Sequence, residues 1–128
     1  MNYKLSKIKR NILLFTNDLY TLFTYQSVLE DLGYYVIGED NITLANHKLN
    51  TVKFQFIIVD LVNNKKNGFL FIKEIKKIYI NSFPLYLIMP GLLTHKEQLS
   101  LNKYQPFKIL TNERLLLSEL FIEPCEPE

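Results

Sequence analysis

A chain of 128 residues, 48% hydrophobic and 22% charged, is sized and composed for one globular domain with a single core. Its net charge of +2 is too small to point by itself to nucleic acid or an acidic membrane surface. One cysteine, Cys125, rules out an internal disulfide, and with only His47 and His95 beside it a Cys/His zinc centre is excluded as well. No apolar run reaches the roughly 18–20 residues that span a bilayer. The opening MNYKLSKIKR is basic, but NILLF is broken at once by Thr16, Asn17 and Asp18, so no signal-peptide core follows. A reducing, cytoplasmic location is the expectation, with no membrane contact.

In chain order, residues 1–8 read as a flexible N-terminus, and Ile12 to Phe15 as a strand ended by Thr16-Asn17-Asp18. Leu22, Tyr25, Leu29 and Leu32 mark one face of a helix, which Gly33 closes. Tyr34 to Ile37 is aromatic and β-branched, a second strand. Asn41 to Asn50 gives a weaker helical pattern. Phe54 to Val59 is apolar on both faces except at Gln55, as a central parallel strand requires, and runs into Asp60. A loop over Asn63–Gly68 precedes a helix with Phe71, Ile75 and Ile78 inward. Pro84 opens a fourth strand, Leu85 to Met89; Thr94 to Asn102 forms a short helix. Gln105 to Ile109 is a fifth strand, and Asn112 to Phe121 a leucine-rich last helix.

Alternating strands and helices of this length predict an α/β fold: a doubly wound, five-stranded parallel sheet in a three-layer α/β/α sandwich. Pro106 removes a ladder donor and belongs on an edge, which the fifth strand is in the order 2-1-3-4-5. Ligands of such sheets sit outside the strands' carboxyl ends. Thr16, Asn17 and Asp18, then Asp60, Met89 and Lys108, are delivered there. The domain spans 9–122, and EPCEPE at 123–128 is a tail or the start of a linker.

With these residues in view, the chain resembles a response-regulator receiver domain of the CheY-like, flavodoxin-fold type. In that family an aspartate ending strand 3 accepts a phosphoryl group and a glycine follows eight residues on, as Gly68 follows Asp60. A lysine ends strand 5 in the family, which "FKILTNERLLL" places on Lys108. The resemblance implies Asp60 as phosphoacceptor with Lys108 beside it. It implies Mg²⁺ as the one cofactor, held by Asn17, Asp18, Asp60 and the backbone carbonyl of Val62. It implies a histidine kinase or an output protein as partner, and a homodimer through the helix 4–strand 5–helix 5 face.

The departures are as specific as the matches. The family's metal-binding acid pair falls on Thr16 and Asn17, and an amide binds hard Mg²⁺ more weakly than a carboxylate. The hydroxyl-bearing switch residue of strand 4 falls on Met89, whose thioether cannot donate a hydrogen bond. The aromatic switch residue falls on Gln105. Mg²⁺ binding and phosphorylation are therefore expected to be weak or absent, and the module to be non-enzymatic, acting by protein–protein contact. For Asp60 two uses stand side by side: a structural carboxylate paired to Lys108 or capping local amides, and residual phosphoryl or metal chemistry. Asp18 reads first as a helix N-cap. A conventional Mg²⁺-dependent receiver controlling transcription is the alternative. A flavin or nucleotide binder is disfavoured because the turn after the first strand, TNDLYT, has no glycine. The basic clusters Lys4–Arg10 and Lys65–Lys77 read as solvated faces, with no direct nucleic-acid binding from this domain.

Overall fold

The computed structural model describes residues 10–79, 84–104 and 107–110. Nine elements follow one another: β1 (Asn11–Phe15), α1 (Leu19–Asp31), β2 (Tyr35–Glu39), α2 (Ile42–Thr51), β3 (Phe54–Asp60), α3 (Lys65–Ile78), β4 (Leu85–Ile88), α4 (His95–Asn102) and β5 (Lys108–Leu110). The five strands form one parallel sheet in the order β2-β1-β3-β4-β5, as the alternation of apolar runs predicts. The predicted last helix, the tail, the N-terminal segment, Gln105 and Pro106 lie outside the described residues.

The central strands are buried on both faces, and the sheet separates two cores. One, against α2, α3 and α4, contains Leu13, Phe15, Ala45, Leu49, Val59, Phe71, Ile75 and Leu101. Phe15 stacks on Phe71 with ring centroids 4.5 Å apart. The other, against α1, contains Ile12, Leu14, Tyr25, Leu29, Val36, Ile58 and Tyr86. Gln55 is the one exposed residue of β3, as read from the sequence.

Most boundaries shift by a residue, and three of the differences bear on the site. β2 starts one residue later and runs on through Gly38 and Glu39, because Leu14 and Phe15 of β1 pair with them and the Thr16 N–H reaches the Glu39 carbonyl at 3.0 Å. At Gly38 a side chain would begin 2.7 Å from Leu22 Cδ1, so the glycine lets α1 lie close on the edge strand. The segment around Gly68 is not a loop. α3 begins at Lys65, and the Gly68 N–H donates to the Asn64 carbonyl at 2.8 Å in its first turn. A Cβ there would stand 2.6 Å from Leu61 Cδ2 and 3.2 Å from Val59 Cγ1, so glycine is what lets the start of α3 settle on the end of β3. Finally, β5 begins at Lys108, where the sequence reading had the strand nearly ending.

Gly33 closes α1 as predicted. Its φ of 96° is open to glycine and strained for other residues. The Gly33 N–H donates to the Glu30 carbonyl and the Tyr34 N–H to that of Leu29, the paired bonds of a Schellman motif. Replacing Gly33 by Ala forces a Cβ into that conformation, and we expect a loss of about 1–2 kcal/mol. The check is the midpoint of urea unfolding against the parent.

Candidate functional site at the carboxyl end of β3

Asp60 is the last residue of β3 and is 0% exposed. An isolated carboxylate in that position would cost many kcal/mol, so its partners decide whether the fold tolerates it. Four donors meet it. Oδ1 accepts from the backbone N–H groups of Val62 (2.9 Å) and Asn63 (3.1 Å). Oδ2 accepts from the Thr16 hydroxyl at 2.7 Å and from Asn63 Nδ2 at 2.8 Å. Charge-assisted bonds of this kind contribute about 1.5–3 kcal/mol each. Two donors on each oxygen leave the carboxylate little capacity for anything else.

The network does not stop there. Thr16 Oγ1 also accepts from the Asp18 N–H at 3.1 Å. Asp18 is the N-cap of α1, and its Oδ2 accepts from the Thr21 N–H at 2.9 Å and from the Thr21 hydroxyl at 2.8 Å. Asn63 Nδ2 reaches Thr21 Oγ1 at 3.5 Å, the loosest link. Thr16, Asp18, Thr21, Asn63 and Asp60 thus form a closed ring joining the ends of β1 and β3 to the first turn of α1. The register makes it possible: Phe15 pairs with Val59, so the next residues, Thr16 and Asp60, emerge side by side.

The donor set fits Mg²⁺ poorly. The Thr16 hydroxyl spends its proton on Asp60, Asp18 turns an oxygen into its own helix, and Asn17 lies on the exposed rim. Among the described residues no three His, Cys, Asp or Glu side chains come together as a metal cluster. Val62, 50% exposed, gives its N–H to Asp60.

Lys108 is not among the four hydrogen-bond donors to Asp60. Asp60 lies level with Ile88 of β4, and Ile88 with Leu110 of β5; Lys108 pairs with Tyr86, two residues earlier. At about 3.3 Å per residue that is roughly 7 Å back along the sheet, and Lys108 is exposed. Met89 follows β4 half-buried and joins the core on the α3 side. Sequence reasoning missed Asn63 and treated Thr16 only as a missing acid. The signal was there in two adjacent apolar runs ending on short polar side chains, with an asparagine three residues past the aspartate.

Three cavities bordered by described residues lie around this end of the sheet, and Asp60 lines none of the three. One of about 140 Å³ opens between α1 and β2, bordered by Thr16, Asp18, Leu22, Gly38 and Asp40. Two others, of about 450 and 200 Å³, share Met89, Leu93, Gln98 and Ile109 beside α4 and β5. Glu97 lies in the first turn of α4. It closes a capping box with Thr94, accepting from the Thr94 N–H at 2.9 Å, and pairs with Lys65 of α3 at 3.1 Å.

Compared with known proteins, the chain matches no family model and no curated protein. Solved structures do match. The chain is similar to the Vibrio cholerae chemotaxis protein CheY4 (TM-score 0.73, 19% identity, 89% of this chain and 98% of that one). It is similar to a two-component response regulator from Clostridium difficile (TM-score 0.70, 18% identity, 88% and 93%). A third is the receiver domain of a sensor histidine kinase from Pseudomonas aeruginosa PAO1, with a magnesium ion coordinated in its active-site cleft (TM-score 0.67, 16% identity, 90% and 100%). The fold is therefore that of the CheY-like response-regulator receiver domains.

Two outcomes follow from the geometry. Thr16→Val keeps the shape but removes a donor to a buried carboxylate, and should cost about 1–3 kcal/mol in urea unfolding, with Thr16→Ser close to the parent. The Glu97 carboxyl is held below its ordinary value of 4.5, chiefly by the Thr94 N–H and then by Lys65. A depressed folded value stabilises fully above 4.5 and is lost as the pH falls through that lower value. The stability difference between the parent and Glu97→Gln should therefore shrink on acidification across that window, measured by urea midpoints at several pH values.

Proposed function

We propose that the chain is an atypical receiver module of a two-component signalling system, one that does not take a phosphoryl group on Asp60 and works through protein–protein contacts. The observation that carries this reading is the saturation of Asp60: 0% exposed, with two donors on each oxygen and the Thr16 hydroxyl where an acid would help hold Mg²⁺. For in-line attack the carboxylate must be reachable by the phosphodonor, and a cation must offset the charge that develops. Here the ring of short polar side chains supplies rigidity in place of both. The half-buried Met89 offers no hydroxyl to a phosphoryl oxygen.

A contact surface is available on the α4–β5 side, the described part of the face read from the sequence as a dimer or output surface. Ile109 is 42% and Leu92 87% exposed, beside the cavity bordered by Met89, Pro90 and Leu93. Apolar exposure of this kind marks interaction sites. The partner is an output protein, a histidine kinase or a second copy, in the cytoplasm. No described helix is long and apolar enough to cross a membrane.

The test is intact mass after incubation with Mg²⁺ and acetyl phosphate, with Asp60→Asn in parallel. The expected result is no mass gain from either folded protein. A gain of one phosphoryl group in the parent that is absent from Asp60→Asn would establish the conventional receiver instead.

A further inference from the structure

Among the described helices, α1 and α3 carry opposite charge on their exposed lines. On α1 the exposed line runs Tyr20, Phe23, Ser27, Glu30 and Asp31, and the helix has no lysine or arginine. On α3 the exposed line runs Lys66, Leu70, Lys73 and Lys77 at helical spacing, with Lys76 beside it and Glu74 as its one acid. Glu74 is taken up by Lys77 at 3.3 Å, and Lys65 by Glu97. Lys66, Lys73, Lys76, Glu30 and Asp31 form no ion pair among the described residues. Because α1 and α3 pack on opposite faces of the sheet, the two lines cannot neutralise each other within one molecule.

Both lines also run against their own helix dipoles. α1 ends on Glu30-Asp31 with no basic residue in its last turn. α3 begins with Lys65-Lys66 and has no side-chain cap at its N-cap residue, Asn64. Acids at a C-terminus and bases at an N-terminus are each unfavourable, and an oppositely charged helix laid alongside would relieve both. Each line further exposes apolar surface suited to a contact: Tyr20 at 72% and Phe23 at 60% on α1, Leu70 at 43% on α3.

We propose that the acidic–aromatic face of α1 docks onto the lysine face of α3 in a second copy of this chain. The contact is heterologous, with different surfaces on the two partners, so it extends from copy to copy rather than closing as a two-fold dimer. It is independent of whether Asp60 is phosphorylated and of the α4–β5 surface.

The experiment is sedimentation velocity on the full chain over a range of concentrations. It is run at about 10 mM salt, where charges act over about 30 Å, and at about 1 M, where they act over about 3 Å. Self-association that grows with concentration at low salt and is lost at high salt is expected. Lys66→Glu/Lys73→Glu, and separately Glu30→Lys/Asp31→Lys, should each remain monomeric, while mixing the two variants should restore association. The changes at Lys66, Glu30 and Asp31 move charge in the direction the helix dipole favours, and Lys73 is mid-helix, so circular dichroism should show folded proteins. A monomer at low salt throughout, or association indifferent to either reversal, overturns the proposal.

Discussion

Everything at the functional end of this molecule depends on one buried carboxylate having enough donors. Asp60 stands where water does not reach, and the side chains of Thr16 and Asn63 with the backbone amides of Val62 and Asn63 satisfy it. Those same donors determine where β1 ends, how the chain turns after β3 and where α1 starts, since Thr16 and Asn63 also contact Asp18 and Thr21. In this structure the carboxylate acts as a joint between the ends of β1 and β3 and the start of α1. Short hydroxyls and amides suit a joint because they bridge two neighbouring strand ends without charge, whereas a second carboxylate beside Asp60 would need a cation between them.

The architecture could be read from the sequence because each signal was local and repeated. Apolar runs at Ile12–Phe15 and Phe54–Val59, the 3-4-3 spacing through Leu22 to Leu32, and Gly33 with its positive φ all report directly on backbone and burial. Asp18 as an N-cap was equally local. The errors came where tertiary contact overrode the local pattern. Asn63–Gly68 looks like a loop because asparagine and glycine are poor helix formers, yet the fit of Gly68 against Leu61 and Val59 draws α3 back to Lys65. Lys108 was matched to a motif by its neighbours in sequence. What decides its reach is register, and pairing with Tyr86 leaves it two residues behind Asp60.

The surfaces divide the labour. Around the joint the side chains are committed to one another. Beyond it, α4 is tied to α3 through Glu97 and Lys65, and Met89, Leu93 and Ile109 leave apolar hollows at the far edge of the sheet. On the function proposed above, such an apolar and charged periphery would carry recognition, with specificity residing in shape and sign of charge.

Gly38 has no functional group, yet it sets a clearance. The missing methyl at 2.7 Å from Leu22 lets the first turns of α1 rest on the edge strand, and Asp18 and Thr21 ride on those turns. Bulk added at Gly38 would first displace the Leu22 side chain, and only what that side chain cannot absorb would pass to the helix that carries Asp18 and Thr21. The seat of the helix that supplies Asp18 and Thr21 is thus set on β2, across β1 from the strand that ends on Asp60.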